Sequence, residues 1–113
     1  MTDLIVIETT LGTRQDADKL AAALVDQKLA ACVQVTGPIT STYRWQGQIE
    51  TSEEWRLSIK TERRYFEAAE RAILALHPYE QPEILAFPVI AANAGYEAWV
   101  KEMTQDEGRK NDE

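Results

Sequence analysis

The one histidine of this 113-residue chain, His77, is the first candidate for chemistry. Nucleophilic and metal-centred catalysis commonly depend on a histidine, yet the sequence has neither His-x-x-x-His nor Cys-x-x-Cys to pair it with. Pro78 follows it and ends a predicted helix, and a histidine at a helix C-terminus often interacts with free carbonyl groups. Two interpretations stay open: a partly solvated helix-terminal residue, or a residue that binds a ligand or metal ion.

The single cysteine, Cys32, follows two alanines at the start of a predicted strand. A lone cysteine among small apolar residues is typical of inert packing. A role in binding a soft metal ion needs a second ligand, brought in by folding or by another subunit. One cysteine also excludes an intrachain disulfide.

Residues 77–83 have an unusual composition, with prolines at both 78 and 82. Prolines four residues apart fix an extended backbone, so this segment could be a rigid binding loop. The side chains that it would hold outward are those of Tyr79, Glu80 and Glu83. The alternative is a stiff connection between a helix and a strand.

Two charged residues in predicted strands are also candidates for binding. Lys60 lies near the end of the third strand, at the predicted sheet edge. It is either a solvated lysine or a lysine that binds a ligand. Glu53 interrupts the apolar positions of its strand, and we expect it to face a gap between subunits or to pair with a cation. Its neighbour Glu54 points to the opposite face, so the two carboxylates do not form an acid–base dyad. No nucleophile has a base beside it, and we expect no catalysis.

Two long alternating runs about Trp45-Gln46-Gly47 predict a β-hairpin. Apolar residues hold the odd positions of both arms, and the even positions are mostly polar. Directly opposed residues share a face, so odd must pair with odd across a loop of odd length. We therefore predict a three-residue loop with Gly47 in the left-handed conformation. The predicted pairs are Val33 with Ile59, Val35 with Leu57, and Tyr43 with Ile49.

Each arm of this hairpin is about twice the usual strand length of ~5–6 residues. A domain of this size cannot cover both arms, so the end near Trp45 should overhang and leave Tyr43, Trp45 and Trp55 in water. The sequence therefore predicts an obligate homo-oligomer assembled through the hairpin. The alternative is a hairpin that bends back onto its own core at Gly37-Pro38.

The remaining periodicities predict an α+β domain. The elements are a strand at 4–8, a helix capped by Thr13 and ending near Lys28, the hairpin, a helix from Thr61 to His77, a strand at 83–87 and a helix over 96–103. This β-α-β-β-α-β order with a terminal helix is that of the ferredoxin-like split βαβ fold. We expect one domain over residues 1–104 and a flexible acidic tail at 105–113.

The charge of the chain limits its partners. A net charge of −7 argues against nucleic acids and anionic membrane surfaces, which attract clustered Lys and Arg. No run approaches the ~18 apolar residues of a membrane span. The N-terminus lacks the basic region of a signal peptide, so a cytoplasmic location is expected.

These motifs together resemble the CutA family of divalent-cation tolerance proteins. The matching residues are Ala30-Ala31-Cys32-Val33, Ser41, Tyr43, Trp45, Gly47, Ile49-Glu50, Glu53, Lys60-Thr61, His77-Pro78-Tyr79-Glu80 and Pro82-Glu83-Ile84, with Thr9-Thr10 before them and Tyr96 and Trp99 after them. The resemblance implies a homotrimer similar in architecture to PII signalling proteins, with the hairpins packed between subunits. It also implies tolerance to copper and other divalent ions.

The resemblance carries two sets of site residues. Cys32 and His77, with Glu83, match a metal site suited to copper(II) or zinc. Many bacterial members have a further cysteine after the Thr-Thr pair, where this chain has Leu11-Gly12. A cleft between subunits is expected to contain Trp45, Glu53, Lys60, Tyr79 and Glu80.

The first hypothesis is a cytoplasmic homotrimeric metal-response protein that binds divalent cations, copper foremost, without catalysis. The second is a PII-like sensor that binds a small metabolite at the subunit cleft and acts on a downstream protein. A weak hydrolase with Glu53 or Glu80 as base, and a purely structural scaffold, are the remaining alternatives.

Overall fold

The computed structural model describes residues 1–105 and contains four strands and three α-helices there. The elements are β1 (Leu4–Leu11), α1 (Arg14–Asp26), β2 (Cys32–Trp45), β3 (Gln48–Glu62), a 3₁₀ turn (Arg63–Tyr65), α2 (Phe66–Leu76), β4 (Leu85–Pro88) and α3 (Ala94–Thr104). The strands form one sheet in the order β2-β3-β1-β4, with every neighbouring pair antiparallel. The predicted ferredoxin-like α+β fold is confirmed. The predicted tail lies, apart from Gln105, outside the described residues.

The core lies between one face of the sheet and helices α1 and α2. Alternate residues of β1 and β3 face these helices, because successive strand side chains point to opposite sides. The buried cluster includes Ile5, Ile7, Leu57 and Ile59 from the sheet and Leu20, Leu24, Ala69 and Ile73 from the helices. We call the opposite side of the sheet the open face. The end of β3 is in contact with α3 there, where the Thr104 hydroxyl donates to a carboxylate oxygen of Glu62 at 2.8 Å.

Both helix ends that the sequence specified most strongly are confirmed. The Thr13 hydroxyl accepts a hydrogen bond from the Asp16 amide at 3.0 Å and caps α1. Helix α2 ends at Leu76, and His77 is already extended, as Pro78 requires. These local signals act within one turn of the chain and do not depend on tertiary packing.

Two predictions about β3 are wrong, and the predicted fourth strand is confirmed with a later start. Thr61 does not cap α2, because β3 continues to Glu62 and Thr61 pairs with Ile5 of β1. Lys60 is not at a sheet edge, since β3 lies between β1 and β2. The strand predicted at 83–87 begins two residues later, at Leu85.

The hairpin follows the predicted register only in its first half. The pairs Val33–Ile59 and Val35–Leu57 are confirmed, but the pair Tyr43–Ile49 and the three-residue loop are wrong. A bulge between Thr36 and Ile39 inserts one extra residue into β2 and reverses its parity beyond that point. The loop is therefore the two-residue turn Gln46-Gly47, with φ of 51° and 79°.

The bulge divides the apolar residues of the distal hairpin between two faces. Tyr43 and Trp45 pair with Glu50 and Gln48 and so share the open face with the even-numbered residues of β3. Ile49 lies on the other side. The rings of distal β2 thus continue the open face and not the core face.

The distal hairpin extends beyond the rest of the sheet, as predicted. Strand β1 ends at the Leu11–Trp55 pair, so β3 residues before Trp55 pair only with β2. We call residues 39–54 the arm. Tyr43, Trp45 and Ile49 are 43%, 60% and 65% exposed, and the arm does not bend back onto its own core. Trp55 differs from the prediction, because its ring packs against the core cluster.

Candidate functional site: a carboxylate cleft at the base of the arm

The cleft lies between the open face of the arm and residues 77–83, which we call the strap. It has a volume of about 720 Å³. Its lining residues are Thr10, Ser41, Thr42, Tyr43, Trp45, Ser52, Glu54, Tyr79, Glu80, Gln81 and Glu83. Three of these are glutamates, and none of the lining residues is basic. The cleft is therefore a concave surface of negative charge with aromatic rings on its arm side.

Glu54 is the buried carboxylate of the cleft, with 8% of its surface exposed. One of its oxygens accepts a hydrogen bond from the Ser41 hydroxyl at 2.6 Å. The other accepts from the Tyr79 hydroxyl at 2.7 Å. Short bonds to an ionised carboxylate are among the strongest in proteins, so this group ties the arm to the strap.

The hydrogen bonds also fix the charge of Glu54. Burial alone would raise the pKa of Glu54, but donors from Ser41, Tyr79 and Thr10 outweigh it and hold the pKa below its usual value of 4.5. Burial and the adjacent Glu54 carboxylate raise the pKa of Tyr79 well above its ordinary range. At neutral pH the pair is thus a phenol donating to a carboxylate.

A pH-dependent effect follows from the lowered pKa. Ionised Glu54 stabilises the fold above about pH 4.5, its ordinary value, and that contribution is lost as the pH falls through the lower folded-state pKa. We expect Glu54→Gln to be less stable than wild type at neutral pH, with the difference shrinking as the pH falls below 4.5. Urea unfolding from about pH 7 to about pH 3 measures it. A difference that stays constant across this range would contradict the assignment.

His77 is an internal anchor for the strap. It is 8% exposed, and both ring nitrogens are bonded within the chain. The Tyr79 amide donates to Nδ1 at 3.1 Å, so the ring proton is on Nε2, which donates to the Thr10 carbonyl at 2.8 Å. The ring is thus buried and not partly solvated, which corrects the first interpretation. A role in metal binding would require one of these two hydrogen bonds to break.

The position of the Tyr79 ring depends on His77 and on a glycine. The two rings lie with centroids 4.7 Å apart. A Cβ placed on Gly12 would lie 3.3 Å from the Tyr79 hydroxyl oxygen. The absence of a side chain at residue 12 therefore leaves room for the hydroxyl to reach Glu54.

The structure brings together only part of the predicted cleft. Trp45, Tyr79 and Glu80 line it, and so does Glu83, which the sequence assigned to a metal site. Glu53 is exposed on the other face of the arm, opposite Thr40. Lys60 is at the other end of the sheet, where its ammonium donates to the side-chain oxygen of Gln34.

The predicted metal ligands do not converge in one chain. Cys32 pairs with Lys60 of β3, which pairs with Val6 of β1. His77, in contrast, is hydrogen-bonded to the carbonyl of Thr10 in β1. Val6 and Thr10 are about 13 Å apart along β1, and Cys32 is two strands away from β1, roughly 9–10 Å. Ligands of one ion lie within about 5 Å of each other. Among residues 1–105, no group of three or more His, Cys, Asp or Glu side chains could hold a metal ion.

Sequence reasoning missed Glu54 and Gly12. Glu54 occupies an even position of its strand, on the face that the sequence predicts to be exposed to solvent. Its burial depends on Tyr79, which is 25 residues away in the chain. The backbone conformation at residue 12 does not itself require glycine. The missing side chain matters only because it leaves room for the Tyr79 ring. The one available signal was the stiff composition of the strap, which indicated that Tyr79 is held in place without indicating against what.

Comparison with known proteins decides the family. The family model for the CutA1 divalent ion tolerance protein matches residues 5–103. The chain belongs to this family. Among its relatives, the divalent-cation tolerance protein CutA of Thermus thermophilus is 39% identical over 99 residues, which are 88% of this chain and 96% of that protein. The predicted resemblance is confirmed.

Other CutA proteins share the fold at similar identity. The crystal structure of CutA from Xylella fastidiosa superposes with a TM-score of 0.90 at 38% identity, covering 92% of this chain and all of that one. The chloroplastic protein CutA 1 of Oryza sativa is 34% identical over 90% of this chain. This CutA1 family chain spans only 58% of the rice protein's length. The comparisons therefore place the chain in a family described by tolerance to divalent ions.

None of the helices in residues 1–105 has the length and apolar character needed to cross a bilayer.

Proposed function

We propose that the protein is a homotrimer that binds a divalent cation, copper foremost, in the carboxylate cleft at the base of each arm. The observation that carries this proposal is the lining of the cleft, with Glu54, Glu80 and Glu83 and no basic side chain. Because these side chains do not form a set of three ligands for one ion within the described part of one chain, the proposed site needs further ligands from water or from a neighbouring subunit. Carboxylate oxygens are ligands for divalent cations, and a negatively charged concavity concentrates cations. Membership of a divalent-ion tolerance family supports the same class of ligand.

The same lining argues against the metabolite sensor. An anionic metabolite needs a cationic partner, and Lys60, the residue expected to supply one, lies at the other end of the sheet beside Gln34. The cleft would repel phosphate and carboxylate groups. Cation binding is therefore the better supported hypothesis.

The predicted set of Cys32, His77 and Glu83 stays a proposal that requires more than one subunit. Cys32 is half-buried on β2, a strand at the edge of the sheet in a single chain. A neighbouring subunit packed along this edge could bring its own carboxylate or imidazole towards Cys32. His77 would first have to give up a bond to Thr10 or Tyr79.

The trimer is supported by the arm. Its apolar side chains Tyr43, Trp45 and Ile49 are exposed, and its β3 edge lacks a neighbour before Trp55. Exposed apolar rings and an unpaired edge are stabilised by association. Three arms related by a threefold axis would cover one another in a closed ring, whereas an open arrangement would leave edges exposed.

A non-enzymatic role in the cytoplasm completes the proposal. Ser41 and Tyr79 both donate hydrogen bonds to Glu54, and despite burial such bonds hold the pKa of Glu54 below its usual value, which makes it a weak base for activating either hydroxyl. Glu80 and the exposed Glu53, considered as bases for a hydrolase, have no nucleophile assigned to them.

Calorimetric titration with Cu²⁺ and Zn²⁺ tests the cleft. We expect the double substitution Glu80→Gln and Glu83→Gln to weaken binding roughly tenfold or more, since a contact between unit charges near a protein surface is worth on the order of 1–4 kcal/mol. Glu67→Gln with Glu102→Gln makes the same change of net charge at exposed sites away from the cleft. We expect that control to bind like wild type.

The outcome also decides the role of the sulfur and imidazole groups. If the cleft variant and the control bind equally well, the cleft is not the cation site. A Cys32→Ser, His77→Ala double variant that binds like wild type removes both residues from the ligand set. Loss of binding in that variant, with the cleft variant unaffected, would instead favour a site between subunits.

A further inference from the structure

A groove lies between β4, at the edge of the sheet, and the start of α2. Its volume is about 630 Å³, which is within the usual range of small-molecule sites. Apolar residues line much of it, namely Ile5, Phe66, Ala86 and Pro88. Pro88 pairs with Ile5 of the core cluster, so the groove is on the helix side of the sheet, away from the open face. Ala86 and Pro88 are exposed, so the helices leave part of this apolar surface uncovered.

Two guanidinium groups stand beside this apolar surface. Arg63 and Arg64 come from the 3₁₀ turn before α2, and both are exposed residues that line the groove. Within residues 1–105, the Arg63 guanidinium is hydrogen-bonded only to the sulfur of Met1, at 3.9 Å, and a thioether sulfur is a weak acceptor. The Arg64 guanidinium is 3.4 Å from a carboxylate oxygen of Glu62. Arg63 therefore keeps most of its five N–H donors for an acceptor from outside the chain.

The charge around the groove favours a singly charged anion. Glu67 lines the groove with the two arginines, so the two positive and one negative side chains leave a net charge of +1. The chain as a whole carries −7, which disfavours the approach of multiply charged anions. A guanidinium group binds a carboxylate through two parallel hydrogen bonds. A carboxylate attached to an apolar chain therefore matches both the charge and the apolar surface, whereas a phosphate dianion exceeds the charge of the groove.

We propose that this groove binds a small carboxylic acid in its ionised form, with the carboxylate on Arg63 and Arg64 and an apolar chain on Phe66, Ala86 and Pro88. Burial of each methylene group strengthens binding by up to about fourfold, and an exposed ion pair contributes no more than about one methylene does. The apolar chain therefore sets most of the affinity, and the guanidinium groups set the orientation of the ligand. The groove shares no residue with the carboxylate cleft, so this inference does not depend on the proposed function.

Titration of the ¹⁵N-labelled full chain with octanoate, followed by NMR, tests the ligand class. We expect the amide signals of residues 63–67 and 85–87 to shift most. Acetate has the same carboxylate without the chain, and we expect it to bind about tenfold more weakly or worse. Octylammonium keeps the chain and reverses the charge, so it should leave these amide signals in place.

The double substitution Arg63→Gln and Arg64→Gln tests the guanidinium groups, because it removes their charge and keeps the apolar surface. We expect the Kd for octanoate to rise about fivefold or more, since up to two exposed ion pairs are lost. Arg14→Gln with Lys19→Gln is the matched control. It makes the same change of net charge at exposed positions of α1, which packs against β2 and β3 and does not line the groove. That control should bind octanoate like wild type.

Each outcome decides for or against the groove. Shifts at residues 63–67 and 85–87 that need both the octyl chain and the two arginines support it. Equal binding of acetate and octanoate overturns it, and so does an equal Kd in the arginine variant and the α1 control. Unchanged signals in the groove, which a second copy of the chain covering it would also produce, overturn it as well. None of these measurements involves a metal ion, so failure here leaves the proposed function untouched.

Discussion

Replacing Trp45 with alanine should convert the proposed trimer to a monomer at micromolar concentration. In one chain, Trp45 is at the tip of the arm, 60% exposed, and its loss would remove little from the core. In a closed ring, three such rings are buried at once. A buried tryptophan at an interface is commonly a hot spot worth 2 kcal/mol or more, and the effect is repeated at each of the three contacts.

Sedimentation equilibrium measures the result directly. Wild type should have three times the 12.8 kDa mass of the chain, and Trp45→Ala should approach the mass of one chain. The melting temperature should fall and become dependent on protein concentration. Leu74→Ala is the matched control, because Leu74 is also exposed and apolar but lies on α2, away from the arm.

A wild type that sediments as one chain would contradict the trimer itself. An unchanged mass and melting temperature in Trp45→Ala would instead remove the arm tip from the interface. If Leu74→Ala dissociates the protein to the same degree, the association depends on general surface hydrophobicity and not on the arm.

The element order could be predicted because each element has a local cause. Alternation specifies β2 and β3, the Thr13 side chain caps α1, and Pro78 ends α2. The chain connectivity then allows few ways to bury one face of four antiparallel strands. These features need no knowledge of contacts distant in sequence.

The distal register could not be predicted, because one extra residue between Thr36 and Ile39 reverses the parity of everything beyond it. Gly37-Pro38 marks an irregularity in β2 at this point, but these two residues do not specify whether a residue is inserted into the pairing. The same holds for Thr61, whose capping chemistry is overridden by its pairing with Ile5 in the centre of the sheet. In both cases tertiary pairing outweighs a local preference.

The sequence identified several residues that line the cleft, but not the buried carboxylate at its centre. The strap residues Tyr79, Glu80 and Glu83 were identified from their rigid surroundings, and they do line the cleft. Glu54 was not identified, because its partners come from two other segments of the chain. Lys60, which the family resemblance assigned to a cleft between subunits, lies at the other end of the sheet in a single chain, beside Gln34.

Replacing Gly37 with alanine should destabilise the protein by about 2–3 kcal/mol, the upper part of the usual range for overpacking. A Cβ at this position would lie 2.5 Å from Cδ1 and 2.8 Å from Cγ of Trp55. Trp55 cannot easily move away, since it pairs with Leu11 and its ring packs against the core. The glycine therefore allows the bulge and the tryptophan to occupy the same level of the sheet.

Urea unfolding at one fixed protein concentration measures this cost. Gly95→Ala is the control, because the nearest atom to its added Cβ would be 3.7 Å away, at Asn93, and alanine is the better helix former in α3. We expect that variant to be neutral or slightly stabilised. The double variant Gly37→Ala, Trp55→Ala completes a cycle in which the cost of Gly37→Ala should fall towards zero once the ring is removed. If that cost is the same with and without the tryptophan, the role of Gly37 is in the backbone of the bulge and not in its contact with Trp55.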